Sequence, residues 1–196
     1  MNNIVSDDSP VEKTDSTDSK NHSDQVEKTN PSAKKKPILN KSLNILIDKE
    51  GNWFHNNQQI KRKGILKYFS SLLHCDRQGS YWLISSREKV AITVEDVPFI
   101  AVELEVIGNG KSQTLIFRTN ADEFISLDKS HPLRIEINSK TLEPAPYIGV
   151  RKNLEAKITR SLFYQLVNLG SEKIISGEKI IGIWSSGTFF RIGKSD

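Results

Sequence analysis

Three features of the sequence predict an α+β fold made of two related sub-domains, each a helix packed on a small antiparallel sheet. Beyond residue 40 the chain is dominated by short apolar runs, several alternating with polar residues and bounded by Gly, Pro or Asn, the pattern of half-buried strands. Only two stretches carry apolar residues at helical spacing. These two stretches lie in similar local surroundings. The predicted units are a disordered polar tail over 1–40, a first sub-domain over 41–97 and a second over 98–196.

The tail is built from Asp, Ser, Thr, Lys and Asn, with too little apolar surface to offset the entropy of ordering. About 160 residues follow, enough for a self-sufficient core. Past residue 37 the chain carries 22 basic and 17 acidic residues. That excess permits an anionic partner without demanding one, because phosphate binding concentrates charge in a patch. Lys34-Lys35-Lys36 is a dense basic run and reads as a solvated tether. Cys75 is the single cysteine, so no internal disulfide is expected; with no apolar leader, this points to a reducing cytoplasm. No apolar run reaches the roughly 18 to 20 residues of a membrane helix, so no membrane insertion is expected.

Asn44 to Asp48 and Trp53-Phe54-His55, split by a turn at Asp48 to Gly51, read as a short hairpin. Gly64 to Cys75 places Ile65, Leu66, Tyr68, Phe69, Leu72 and Leu73 on one side and Lys67, Ser70, Ser71 and His74 on the other, an amphipathic helix. Tyr81 to Ile84 and Val90 to Val94 are strands. Pro98 interrupts the pattern, which resumes with Ile100, Val102, Leu104 and Val106 on one face. Gly108-Asn109-Gly110 closes a hairpin onto Thr114 to Arg118. Phe124 to Leu127 and the strictly alternating Leu133 to Ile137 add two strands, and Lys179 to Trp184 pairs with Thr188 to Ile192 through Ser185-Ser186-Gly187. The count is two helices and about nine strands.

The second helix is predicted over 154–169 from Leu154, Ile158, Leu162, Leu166 and Leu169, ended by Gly170. At about 100° per residue, Glu155 and Thr159 fall inside its apolar arc. A carboxylate there needs a partner, and Arg151 is the nearest candidate in sequence. The two helices have matching flanks: Arg62-Lys63-Gly64-Ile65 against Arg151-Lys152-Asn153-Leu154, and later Tyr81-Trp82-Leu83-Ile84 against Gly182-Ile183-Trp184. If this is a duplication, the groove between copies is the natural ligand site.

The usual catalytic arrangements are missing. His22, His55, His74 and His131 are scattered, so neither a metal site nor a bound cofactor is expected. Cys75 reads as a core filler. Ser185 and Ser186 lack the glycine of a nucleophile elbow and read as turn residues. Glu95 and Asp96 are the best acid-base candidates, yet neighbours on a strand point to opposite faces, so the expectation is a non-enzyme. For binding, Arg62, Arg151, Glu155 and Arg160 with Phe99, Tyr147 and Trp184 combine guanidinium forks and stacking surface. The competing reading makes these an internal network.

Gly51-Asn52-Trp53-Phe54, Ile60-Lys61-Arg62, Val94-Glu95-Asp96-Val97-Pro98-Phe99, Pro146-Tyr147-Ile148-Gly149-Val150-Arg151, Leu154-Glu155-Ala156, Arg160 and Trp184-Ser185-Ser186-Gly187-Thr188-Phe189-Phe190 together resemble the bacterial family known as domain of unknown function 1285, over Leu43 to Gly193. The resemblance implies an α+β duplication whose second half is loosely pleckstrin-homology-like. It also implies a protein or nucleic-acid partner near the interface of the halves, a role in signalling, and no assigned catalysis. The first expectation is therefore an adaptor whose partner site combines the Glu95 to Phe99 turn with the Arg151 to Arg160 segment. Arg151→Ala with Arg160→Ala should then abolish partner capture at an unchanged melting temperature. The alternatives are a nucleic-acid binder using the basic core and Lys34 to Lys36, and an enzyme using Glu95 or Asp96.

Overall fold

The computed structural model describes residues 38–40, 43–139 and 141–194; the remainder of the polar tail, with Lys34 to Lys36 and His22, lies outside them. The first sheet is built from β1 (Ile38–Asn40), β2 (Ile45–Ile47), β3 (Trp53–His55), β4 (Gln58–Gln59), β5 (Leu73–Cys75), β6 (Tyr81–Ile84) and β7 (Glu88–Val94), with helix α1 (Lys63–Leu72) between β4 and β5. Its order is β4-β3-β2-β7-β6-β5, and β1 joins β7. The second sheet takes β8 (Phe99–Ile107), β9 (Thr114–Thr119), β10 (Phe124–Ser126), β11 (Leu133–Ile137), β12 (Pro144–Arg151) and β13 (Leu154–Ile158), in the order β10-β9-β8-β13-β12-β11. Helix α2 (Arg160–Asn168) leads to a third sheet, β14 (Ser171–Ile175), β15 (Glu178–Ser185) and β16 (Thr188–Lys194), in chain order.

The first two sheets share one layout. Counted from β2 and from β8, each reads third, second, first, sixth, fifth, fourth. In each set of six, the first and sixth strands are parallel and the other pairs antiparallel; β1, outside the first set, runs parallel to β7. The helices do not share this equivalence: α1 enters between the third and fourth strands of its array, and α2 follows the sixth of the other. The repetition therefore lies in the strands. Two amphipathic helices look alike in sequence because any helix laid on a core needs an apolar stripe.

The architecture is mostly β, with two α-helices and 16 strands among the described residues. The largest departure from expectation is at 154–158, which is strand, not helix. Leu154 and Ile158 are four apart and so satisfy both a helical and an alternating pattern. The burial of Leu154, Ala156 and Ile158 against the partial exposure of Glu155 and Lys157 shows the period of two. Lys152 and Asn153 form the preceding turn, with Asn153 in the left-handed region at φ 57°, where Asn is well tolerated. What remains of the predicted helix, α2, buries Leu162, Phe163 and Leu166, while Val167 and Leu169 stay exposed. α1 ends three residues early because Leu73–Cys75 pairs with Tyr81–Leu83. Ile65 and Tyr68, expected on its buried face, are exposed at 37% and 57%, and Leu66, Phe69 and Leu72 pack on the core instead. In β8 a bulge between Ala101 and Glu103 shifts the faces, so Ala101 is buried and Val102 and Val106 are exposed.

One core joins all three sheets: Ile47 and Leu73 from the first, Phe99, Phe117 and Leu154 from the second, and Ile183 from the third belong to the same cluster. Buried polar groups fix the third sheet to the second. Ser185, read from sequence as a turn residue, instead ends β15 fully buried, accepting from Leu115 N at 2.9 Å and donating to the Leu127 carbonyl at 2.7 Å. Gln113 Nε2 donates to the Trp184 carbonyl at 2.8 Å. The β2–β3 turn is fitted against β8 at Gly51, whose φ is +75° and where a Cβ would lie 2.6 Å from Ile100 Cγ1 and 2.8 Å from Asn120 Nδ2. Only glycine accommodates both demands.

Candidate partner site at the junction of the first and second sheets

Arg134 on β11, Tyr147 on β12 and Lys157 on β13 are successive cross-strand partners, so they share one face of the second sheet. Leu133, Ile148, Ala156 and Phe99 form the neighbouring row on the other face. Pro98 ends the strand pattern after β7, and the short link it creates places Asp96 over the first row. Lys157 Nζ donates to Asp96 Oδ2 at 2.6 Å, and the Tyr147 hydroxyl lies 3.2 Å from Oδ1. Arg134 lies over the Tyr147 ring at 4.3 Å and forks Glu155, with Nε to Oε1 at 2.9 Å and Nη2 to Oε2 at 2.6 Å. It also pairs with Glu136.

The first sheet contributes Tyr81 from β6. Burial, then the Cys75 thiol and the Glu155 carboxylate, push its hydroxyl up to about 12. Burial and the Asp96 carboxylate push Tyr147 up to about 12 as well. Both phenols hold their protons more tightly folded than unfolded, where the value is near 10. Their contribution to stability is therefore constant below about pH 10 and is lost as pH rises from about 10 to about 12. Urea denaturation across that range should show the decline, with Tyr147→Phe flattening part of it.

A second contact set lies at the β12–β13 hairpin. Arg151 donates to the Ser70 carbonyl near the end of α1, pairs with Glu123, and holds its guanidinium 5.3 Å from the Phe99 ring. Asn153 Nδ2 reaches the carbonyls of Cys75 at 3.3 Å and Asp76 at 3.4 Å. Burial raises the Cys75 thiol, with the Asp76 charge adding to it, so it is a half-buried thiol and not a thiolate. The expected Arg151–Glu155 pair is not formed. In the hairpin register Arg151 stands opposite Leu154 and Glu155 opposite Gly149, which leaves Glu155 to Arg134 and Arg151 to Glu123.

Of the residues singled out in the sequence, Asp96, Tyr147 and Glu155 meet in the first network, and Arg151 and Phe99 in the second. Phe99 is fully buried and so serves the core. Glu95 is exposed and accepts from Lys49 N at 3.2 Å, so Glu95 and Asp96 have separate partners and do not form an acid pair. Arg62 stands at the N-cap of α1, exposed and outside both networks. Arg160 opens α2, pairs with Glu143 and is 66% exposed. Trp184 keeps different company on β15, with Phe189, Lys111 and Lys173. Arg134, Lys157, Tyr81 and Glu123 escaped sequence reasoning. The alternation of Leu133 to Ile137 does put Arg134 and Glu136 on one face, the one local signal available.

An open cleft of about 340 Å³ runs beside the hairpin, lined by Ser130, Pro132, Arg151, Lys152, Asn153 and Glu155. His131, at its edge in sequence, lies in a bend, with Nδ1 3.1 Å from Asp128 Oδ1. Among the described residues no group of three or more His, Cys, Asp or Glu side chains is placed to hold a metal ion.

A solved DUF1285-family protein from Silicibacter pomeroyi DSS-3 shares 38% identity with this chain, covering 81% of it and 84% of that protein, with a TM-score of 0.73. This chain belongs to the DUF1285 family. The DUF1285 N-terminal domain, described as a domain of unknown function, matches residues 30–97, and the C-terminal domain of the same protein of unknown function matches 98–192. The DUF1285 fold is also shared by a family protein from Shewanella baltica OS155, with a TM-score of 0.53 at 24% identity over 65% of this chain and 93% of that one. No curated protein matches the chain. Among the described residues no helix is long and apolar enough to cross a membrane.

Proposed function

We propose that this protein is a non-catalytic, cytoplasmic binding module, an adaptor in signalling, whose protein partner docks where two duplicated halves, 41–97 and 98–196, meet. The observation that carries the reading is the cleft beside the β12–β13 hairpin, which is lined from the second half but borders the Arg151 and Asn153 contacts to Ser70, Cys75 and Asp76 of the first. Arg151 and Glu155 line it together, although each is held by a different network. The site is thus rigid at its base and open at its rim, where Lys152 and Ser130 are exposed. The repeated strand order supports a duplication, and α2 packed beside the antiparallel strands of the C-terminal half supports its loose pleckstrin-homology likeness. The separate partners of Glu95 and Asp96 favour this reading over acid-base catalysis, and no cofactor enters it.

Arg151 is unsuitable as a test because it also ties α1 to β12. Lys152→Glu and Ser130→Arg change only the rim and should alter stability by less than about 0.5 kcal/mol. Each should remove the captured partner from a pull-down in the source cell's lysate, while Arg160→Glu, outside this cleft, leaves it in place. Capture unchanged by both rim variants would rule out the cleft.

A further inference from the structure

We infer that the outer face of the third sheet is a platform for single-stranded nucleic acid, with bases stacking on Trp184 and Phe189 and backbone phosphates held by Lys111, Lys173 and Arg191. This site is separate from the cleft beside the β12–β13 hairpin and does not depend on it. Trp184 and Phe189 are directly opposed across β15 and β16, and Gly182 is opposite Arg191. By strand alternation these four residues share one face, and Ile183, Phe190 and Ile192 are buried on the other. The two rings lie 5.3 Å apart at 57°. A Cβ at Gly182 would come within 2.5 Å of Phe189 Cζ, so the absence of a side chain there is what lets the ring lie across the strand. The result is a partly exposed aromatic floor two rings wide.

Cations gather over that floor. Lys173 Nζ lies 5.2 Å from the Trp184 ring centre and 5.3 Å from that of Phe189, and Lys111 Nζ lies 5.6 Å from Trp184. They reach it from different elements, β14 and the 3-10 turn Gly110–Ser112. Neither lysine enters an ion pair among the described residues; the carboxylate of Glu178 pairs with Lys194 at 2.7 Å and is also attracted by Arg191. Two unpaired ammonium groups beside one indole repel each other, and their flexible stems can turn to phosphates while a base takes the ring. Aromatic surface interleaved with free cations is what a sequence-tolerant single strand requires. A duplex, whose bases are already stacked on one another, gains only the charge contribution.

The test uses the full chain and a fluorescein-labelled oligothymidylate of about 12 nucleotides, followed by anisotropy. Binding is expected at about 50 mM salt, weakening roughly ten- to twenty-fold at about 200 mM for three phosphate contacts. Trp184→Ala should weaken it about five- to hundred-fold, with Trp184→Phe restoring most of the loss. Lys111→Glu and Lys173→Glu, both at exposed positions, should each weaken it and flatten the salt dependence. No anisotropy change at about 100 μM protein and 50 mM salt would overturn the inference. So would equal affinity for a duplex of the same length, or an affinity indifferent to Trp184→Ala and Lys173→Glu.

Discussion

Phe99→Ala is expected to lower unfolding stability by about 3–5 kcal/mol, read as a shift of the urea midpoint at unchanged slope. Phe99 opens β8, is fully buried, and stands opposite Ala156 in the register that joins the two halves of the second sheet. The neighbouring residue is too small to refill the space, so the cavity persists. Phe99→Leu keeps most of the volume and should cost no more than about 1.5 kcal/mol. A residue that served mainly as a docking contact would give the opposite result, with partner capture lost and the urea midpoint unmoved.

Arg151→Ala carries the second large effect, a loss of about 2–3 kcal/mol. The change removes a charged donor from the Ser70 carbonyl and leaves Glu123 without its cation. It also uncovers one side of the Phe99 ring. These contacts reverse the expectation of an unchanged melting temperature for an Arg151 variant. Arg151→Lys restores the charge but not the fork that reaches two acceptors at once, so it should recover only part of the loss. A double-mutant cycle with Glu123→Gln should return a coupling of at least about 0.5 kcal/mol. Additivity of the two changes would show that the pair is incidental to stability.

The parts of the fold that were legible in the sequence are those with local causes. Gly51 and Gly108 turn the chain at positive φ, Pro98 breaks a strand pattern, and the β15–β16 hairpin follows from apolar runs split by a short polar turn. Residues 154–158 were misread because Leu154 and Ile158 fit two periods, and the deciding fact, pairing with β8 and β12, lies far away in sequence. β14 has all five residues exposed, so no burial contrast marks it. The same distance explains the site. Asp96, Tyr147 and Glu155 stand out as polar or aromatic residues at strand and turn positions, but their partners Arg134 and Lys157 are chosen by cross-strand register, which no local pattern encodes. Arg151 and Glu155 are near neighbours in sequence, and the hairpin turn between them sends each to a different partner.

The claim that the cleft beside the β12–β13 hairpin receives the partner is tested most directly by amide hydrogen exchange on the wild-type chain, free and bound to the protein it captures. New protection is expected in two segments, 128–134 and 149–155, which supply the cleft's lining, with little change in the third sheet. Protection confined to 171–194, with both cleft segments exchanging as they do in the free chain, would contradict it.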